Sequence, residues 1–351
     1  MEQKPNIRDL PTARITELME ELGHPQFRAT QVVKWLYQKR ITDFSQMANT
    51  PKAFRNALDD MFSIERLAPL HTVCSESGDA VKFIFPVDPS GELIEAVLLY
   101  DGKRRTACVS SQLGCGLGCR FCETGRLGFI RDLGLHEITG QLLAINDYLA
   151  SRDDKRITNI VFMGMGEALL NYETFKNSCD IVTSSDGLNL APRRITVSTA
   201  GIIPGIRKLS QDRLGVGLAV SLNTYSNEKR NQIMPINKRY PIEEVLEVAH
   251  DYARVTDNEV TFEYVVVEGE NDGDEAVDSL VRLLSRIPSQ INLIPLNPSS
   301  YDIGVGPGET RLRAFAEKLY ARGLTVTVRK SRGRDIGGAC GQLAGRLRNS
   351  K

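Results

Sequence analysis

Four of the chain's seven cysteines fall within fifteen residues, in the stretch CVSSQLGCGLGCRFC from Cys108 to Cys122. Cys115, Cys119 and Cys122 are spaced Cys-x3-Cys-x2-Cys, and Cys108 stands seven residues upstream. Thiolates this close in sequence suit one metal centre. Iron–sulfur clusters are held by cysteine sulfur, and a [4Fe–4S] cube has four irons. Three protein ligands leave one iron open, as a catalytic cluster needs. Structural zinc is the competing reading, but it closes its shell with four ligands in paired groups. Cys108 or His136 would have to supply the fourth, and neither sits in a matching pair. Unligated thiols are the third reading.

Composition sets the setting for this chemistry. The 351 residues are 41% hydrophobic and 25% charged, with a formal net charge of zero. That is ordinary for a globular protein and argues against a mass binder of nucleic acid, though not against local basic patches. The N-terminal stretch MEQKPNIRDLPTARITELMEEL lacks a signal-peptide core, and no apolar run approaches the length of a membrane span. The expectation is a cytoplasmic protein without membrane contact. Structural disulfides are rare there, so clustered cysteines read as ligands or redox groups.

The elements that must position these thiols follow from periodicity. Ile15, Leu18, Met19 and Leu22 mark one helical face; further helices are expected over Thr30–Lys39 and Lys52–Met61. The stretch AVKFIFPVDPSGELIEAVLLYDG reads as two strands around the turn Asp88-Pro89-Ser90-Gly91, a small appendage outside the core. From about Arg105, strand candidates (TACVSS, NIVFMG, RITVST, GLAVSL, VTFEYVVV, INLIPL, LTVTVR) alternate with helical patterns. Such alternation implies α/β architecture with a parallel sheet, either doubly wound or a full or partial barrel. In a barrel, chemistry gathers at the C-terminal strand ends. GMGE follows NIVFM, Ser198 and Thr199 end RITV, Ser221 and Asn223 end GLAV, and Asn297 ends INLIPL. This regularity favours a barrel.

At this point the motifs resemble a known family. Cys-x3-Cys-x2-Cys after a first strand is similar to the radical S-adenosylmethionine (SAM) superfamily. CVSSQLGCGLGCRFC, FMGMGEALLN, PRRITVSTAGIIP, INLIPLNP and RKSRGRDIGGACGQLAG together resemble the RlmN/Cfr family of RNA adenosine methyltransferases, over nearly the whole chain. The resemblance implies a partial (βα)6-type TIM barrel. The expected division is a helical accessory domain over 1–65, a β-hairpin connector over 66–104, the barrel over 105–330 and a C-terminal segment over 331–351. It also implies a [4Fe–4S] cluster on Cys115, Cys119 and Cys122, with SAM on its open iron. Further SAM contacts fall on Gly166, Glu167, Ser198, Ser221, Leu222, Asn223 and Asn297.

The chemistry implied by the resemblance explains the remaining cysteines. Adenine carbons 2 and 8 carry no lone pair and cannot attack a methyl sulfonium, so a radical must add to the ring. Cys340, in GACGQLAG, would carry the methyl group as S-methylcysteine. Cys108 would be the resolving thiol, freeing the product through a transient disulfide with Cys340. Glu95, 13 residues before Cys108 as in the family, would be the proton acceptor. By residue type alone, Glu95 reads as an outward-facing glutamate on a half-buried strand. The implied partners are 23S rRNA and tRNA, with an external electron donor such as flavodoxin or ferredoxin; a monomer is expected.

Three positions depart from the family pattern: Glu123 after the last cluster cysteine, Ala168 in GEA, and Asn223 in SLN. An Asn still hydrogen-bonds but does not titrate as His does. Cys74 and Cys179 match no motif, and Trp35 reads as accessory-domain core. Basic clusters at Lys103–Arg105, Arg193–Arg194 and Arg329–Arg334 are expected to flank the catalytic mouth as phosphate contacts. INLIPLNP and VRKSRGRDIGGACGQLAG look RlmN-like, whereas GEALLN and LAPRRITVSTAGIIP have a Cfr-like flavour. The expectation is therefore methylation of carbon 2; the alternatives are methylation of carbon 8 and a non-enzymatic iron–sulfur RNA-binding or redox-sensing protein.

Overall fold

The computed structural model describes residues 4–87, 91–298 and 303–345. Its N-terminal part is helical where apolar spacing predicts. α1 (Thr12–Glu21) buries Ile15, Leu18 and Met19, and α3 (Lys52–Met61) buries Phe54 and Leu58. Between them, α2 (Phe27–Val33) starts earlier than its expected Thr30 and runs into one π-helical turn, Lys34–Gln38. Carbonyls at this distorted end are taken by buried Arg8, which donates to Leu36 O (3.2 Å) and Ile41 O (2.9 Å). These helices share an apolar cluster that includes Ile7, Val32, Leu36, Tyr37 and Phe44, and reach Leu135, Leu143 and Ile181 of the adjoining α/β region.

Four strands follow as an antiparallel meander: β1 (His71–Cys74), β2 (Ala80–Pro86), β3 (Leu93–Asp101) and β4 (Arg104–Cys108). The expected hairpin is present as β2 and β3, although residues 88–90 of its turn lie outside the described residues. It is not an appendage. The meander extends the main sheet, and Phe83, Phe85, Ile94, Ala96 and Leu98 belong to the main core. The apolar pattern on both faces of these strands is what a sheet covered on both sides requires.

β4 ends at Cys108, three residues short of the expected TACVSS, because the chain then bonds the loop after the next parallel strand: Ser111 N–H donates to Met165 O (2.8 Å). A separate hairpin follows, β5 (Gln112–Cys115) and β6 (Gly128–Asp132), with the short helix α4 (Glu123–Arg126) inside its loop. Six βα crossovers then run through α5 (Leu135–Ala150), β7 (Asn159–Phe162), α6 (Tyr172–Thr183), β8 (Ile195–Thr199), α7 (Ile203–Asp212) and β9 (Gly217–Ser221). They continue through α8 (Asn227–Ile233), α9 (Ile242–Thr256), β10 (Val260–Val266), α10 (Asp274–Leu284), β11 (Ser289–Pro295), α11 (Glu309–Ala321) and β12 (Thr325–Val328). The parallel strands lie in chain order, β4-β7-β8-β9-β10-β11-β12, with no β12–β4 pairing among the described residues. One cavity of about 640 Å³ is nevertheless lined from all seven, so the sheet curls around it as a partial barrel. Among the described residues no helix is long and apolar enough to cross a membrane.

Candidate active site

Cys115, Cys119 and Cys122, the expected cluster ligands, sit on the β5–β6 hairpin and its loop, over the C-terminal ends of the parallel strands. Gly114 makes the hairpin possible: its φ is +75°, and a Cβ there would lie 1.9 Å from Gly128 O. Cys115, Cys119 and Cys122 line one cavity of about 160 Å³ together with Gly166, Glu167, Ser198, Ser221, Asn223 and Asn297. Burial pushes the Cys115 thiol up to about 12 and raises Cys119 and Cys122 as well. Backbone N–H groups of Leu117 at Cys115, and of Gly125 and Thr124 at Cys122, act in the opposite sense and favour thiolate. Among the described residues no three His, Cys, Asp or Glu side chains converge on one point as ligands of a single ion would. His136, the candidate fourth zinc ligand, is bound through Nδ1 to Asp9 Oδ1 (2.7 Å). Buried thiols spread round one small cavity fit a cube, whose corners are separate irons, better than one tetrahedral ion.

The GMGE loop is pressed against this hairpin. A Cβ at Gly164 would meet Val109 C and O at 2.6 Å, and one at Gly166 (φ +97°) would meet Gln112 Cβ at 2.4 Å. Gln112 ties the two together: Oε1 accepts from Glu167 N (2.8 Å) and Nε2 donates to Asp132 Oδ1 (2.8 Å). Glu167 is buried. Its Oε2 accepts from Ala200 N (2.8 Å), its Oε1 has no hydrogen-bond partner, and burial pushes its carboxyl up to about 7. An orphaned buried carboxylate oxygen is costly unless a donor arrives, and an ammonium group of a bound ligand would supply one.

The other expected SAM contacts divide. Ser198, next to last in β8, and Ser221, last in β9, line the cavity. Leu222 is buried, and its carbonyl accepts from Arg230 Nε (3.2 Å). Asn223 lines the cavity, but its side chain is engaged within the protein: Oδ1 accepts from Val265 N (3.0 Å) and Nδ2 reaches Met234 Sδ (3.3 Å). It adopts φ +62°, a left-handed conformation that Asn tolerates better than most residues. The Asn297 side chain is likewise committed, donating to Cys340 O (3.1 Å) and accepting from Arg334 Nε (2.7 Å).

The C-terminal segment brings Cys340 to the cluster loop. Gly341 has φ +80°, and a Cβ there would lie 2.6 Å from Phe121 O. Glu123 N–H donates to Gly341 O (2.7 Å), and the Thr124 hydroxyl donates to Leu343 O (2.7 Å). Cys340 faces both cavities; Cys108, at the end of β4, faces the larger one. Burial pushes the Cys108 thiol up to about 12, with Cys340 adding and Arg329 opposing. The disulfide implied between them is not formed: all seven cysteines are free. Glu95 is fully buried, not outward-facing, and its Oε2 lies 3.6 Å from the buried Lys82 ammonium. It occupies the same face of β3 as Leu99, which lines the larger cavity, and as Val97, which pairs with Cys108. Ser110 Oγ donates to Glu95 O (2.6 Å) and accepts from Met165 N (2.8 Å), clamping β3 to the GMGE loop.

Known proteins resemble this arrangement from end to end. Residues 5–64 match the ribosomal RNA large subunit methyltransferase N-terminal domain, and residues 109–281 match the radical SAM superfamily. The dual-specificity RNA methyltransferase RlmN of Psychrobacter arcticus is 39% identical over 98% of this chain and 88% of its own length. That of Marinobacter nauticus is 40% identical over 98% and 94%. The chain belongs to the RlmN family of radical SAM RNA methyltransferases. A radical SAM methyltransferase structure from Sphaerobacter thermophilus superposes with a TM-score of 0.90 at 38% identity, covering 97% of this chain and 100% of that one.

Within this RlmN-family barrel, several polar residues emerge that sequence reading missed. Glu263, on β10, lines both cavities and accepts from Asn292 Nδ2 (2.8 Å); burial raises its carboxyl. Arg230 is fully buried and donates to Ala200 O (2.7 Å), Ser221 O (2.9 Å) and Leu222 O, fastening the ends of β8 and β9. For Glu263 the available signal was one charge inside the apolar strand VTFEYVV; the polar helix NEKRNQI gave none for Arg230. The basic clusters also sort differently from expectation. Arg193 and Arg194 precede β8 and so stand at the opposite strand end from Ser198; they do not flank the site. Arg105 is held by Asp154 (2.7 Å). Arg104, Arg329, Lys330 and Arg332 do line the larger cavity.

Proposed function

We propose that this chain methylates carbon 2 of adenosine in 23S rRNA and in tRNA, with Cys340 as methyl carrier, Cys108 as resolving thiol and Glu95 as proton acceptor. The observation that carries the reading is that Cys108 and Cys340, remote in sequence, face one cavity beside the cluster loop. Its volume of about 640 Å³ lies in the range of small-molecule sites and suits one extruded nucleoside. Carbon 2 is preferred over carbon 8 because the chain's relatives named above are RlmN proteins.

Cys115, Cys119 and Cys122 would hold a [4Fe–4S] cluster, and Glu167 Oε1 would take the SAM ammonium. Ser198, Ser221 and the backbone around Gly166 and Leu222 would complete the SAM site, with the Asn223 and Asn297 side chains shaping it from behind. The cluster and SAM, when bound, supply a carbon-centred oxidant for hydrogen abstraction. The chain's own residues do the rest. Cys340 carries the group on sulfur. Glu95, buried beside Lys82, takes the ring proton. Cys108 attacks the Cys340 sulfur to release the product. Electrons come from a flavodoxin- or ferredoxin-type donor in the cytoplasm, to a monomer. In this division residues 1–65 are accessory, 66–104 carry the base, 105–330 form the barrel and 331–351 carry the methyl group.

The test is nucleoside mass spectrometry of rRNA and tRNA from a deletion strain complemented with wild type or Cys340→Ala. Wild type should restore 2-methyladenosine, and Cys340→Ala should not. Activity in the alanine variant, or 8-methyladenosine from wild type, overturns the assignment.

A further inference from the structure

Arg329 has been grouped so far with its basic neighbours, but its surroundings differ from theirs. It follows the last residue of β12, and its backbone N–H still donates to Leu293 O (2.9 Å), which fixes it at the sheet edge. The side chain lines the smaller cavity with Cys340 and Glu263, and the larger one with Cys108 as well. Arg332 is paired with Asp101 (2.9 Å) and Arg334 with Asn297 (2.7 Å). Among the described residues the Arg329 guanidinium makes no ion pair, and its Nη1 reaches only the Met163 sulfur at 3.7 Å.

A guanidinium turned into a cavity without a close ion pair is costly. The charged groups facing the larger cavity with it are Asp101, Arg104, Glu263, Lys330 and Arg332. Asp101 is occupied by Arg332. Glu263 is held by Asn292; burial raises its carboxyl, and Arg329 opposes that rise. The groups whose charge the guanidinium meets are therefore Glu263 and the Cys340 and Cys108 sulfurs. We propose that Arg329 is a positioning residue for both cysteine steps, its guanidinium serving as counter-charge first to the Cys340 thiolate and then to the Cys108 thiolate. The inference rests on the proposed roles of these two thiols as carrier and resolver.

The sequence of charges supports service in turn. Each thiol must first lose its proton to water. At Cys340, the sulfur electron pair forms the bond to the methyl carbon while the donor sulfonium's carbon–sulfur bond breaks, its pair remaining on the donor sulfur. Cys340 is then a neutral thioether, and the guanidinium is released from it. At Cys108, the pair forms the S–S bond to Cys340. The Cys340 bond to the substrate carbon breaks, and that carbon takes the pair and then a proton. Burial opposes the Cys108 thiolate, Arg329 favours it, and the Arg329 charge is itself stabilised chiefly by Cys340.

The test reads thiolate formation without turnover. In full-length, anaerobically cluster-reconstituted protein carrying Cys340→Ala, the larger cavity keeps Cys108 and Cys122, and the peptide masses report the two separately. Alkylation of Cys108 by iodoacetamide is followed against pH by peptide mass, with exposed Cys74 as internal reference. Adding Arg329→Gln should move the Cys108 profile at least one pH unit upward, about a tenfold slower reaction at a fixed pH below the midpoint. Arg329→Lys should recover most of that rate, and Cys74 should not change. Iron content and circular dichroism confirm folding. An unchanged Cys108 profile in Arg329→Gln overturns the inference, as does a variant that loses only RNA affinity and salt dependence, the mark of a phosphate contact. Because no methylation is measured, this outcome is independent of whether Cys340→Ala retains activity.

Discussion

The cluster loop and the Cys108–Cys340 pair use one residue type in comparably buried surroundings, yet they are assembled by opposite routes. Cys115, Cys119 and Cys122 come from one hairpin, so their proximity is fixed by local turns such as that at Gly114. Cys108 ends the first parallel strand, and Cys340 arrives after the last, docked through Glu123, Thr124 and Asn297. Their electrostatics are mixed in both places: backbone N–H groups favour thiolate at Cys115 and Cys122, the Arg230 guanidinium at Cys119, and the Arg329 guanidinium with the Met163 backbone N–H at Cys108. Three thiols in one loop suit permanent ligation. Two thiols brought from remote parts of the chain into one roomy cavity, with Cys122 of the loop at its wall, suit bonds that form and break.

The largest effect should come from the loop. Cys119→Ala should abolish iron retention and all RNA methylation, read by iron analysis and nucleoside mass spectrometry. It should leave Cys108 alkylation unchanged; a shift there would mean the two thiol sets are not separable. Cys108→Ala should also stop turnover, but with iron and SAM cleavage intact, and protein joined covalently to RNA should accumulate on a denaturing gel. Normal turnover without that species would return Cys108 to the status of a buried apolar residue.

A smaller effect is expected at Glu167, where the loop meets the strand ends. Glu167→Gln should weaken SAM binding about ten- to hundredfold, as losing a charge-assisted hydrogen bond does. Burial pushes this carboxyl up to about 7, so it is charged above that pH and neutralised as pH falls through it. Wild-type affinity for SAM should therefore decline below about pH 7 in calorimetric titrations, and the Gln variant should show a flatter profile. The smallest effect concerns the tie between the regions. Thr124→Ala removes the hydroxyl that donates to Leu343 O, and should cost about 1 kcal/mol in denaturant unfolding.

Legibility in the sequence follows the same division. The cluster triad was readable because its spacing is local. The strand–helix alternation was readable because each βα unit buries its own apolar pattern. The β5–β6 hairpin was not, since Gln112–Cys115 is four residues long and Gly128–Asp132 exposes Phe129 and Ile130, so neither carries a clear apolar alternation. The place of β2 and β3 in the main sheet was missed because sequence shows apolar strands without showing what covers them. Cys108, Cys340 and Glu95 came from family resemblance alone. Glu95 by residue type read as a surface glutamate, and only its pairing with Lys82 explains its burial. Glu263 escaped because a charge within an apolar strand acquires meaning from tertiary neighbours, and Arg230 because nothing in the polar run NEKRNQI marks one arginine as the buried one.

The order of strands in the sheet also bears on how the enzyme comes into being. From β4 onward each parallel strand pairs with the one made just before it, so the sheet can grow by successive docking of units. The Cys108 and Cys340 sulfurs flank that series, one before its first crossover and one after its last. Contacts so distant along the chain form late, after the entropy of every intervening loop has been overcome. A partly folded chain can thus present a complete cysteine hairpin while Cys340, the proposed methyl carrier, still swings free, and competence to modify RNA becomes a report that folding has finished.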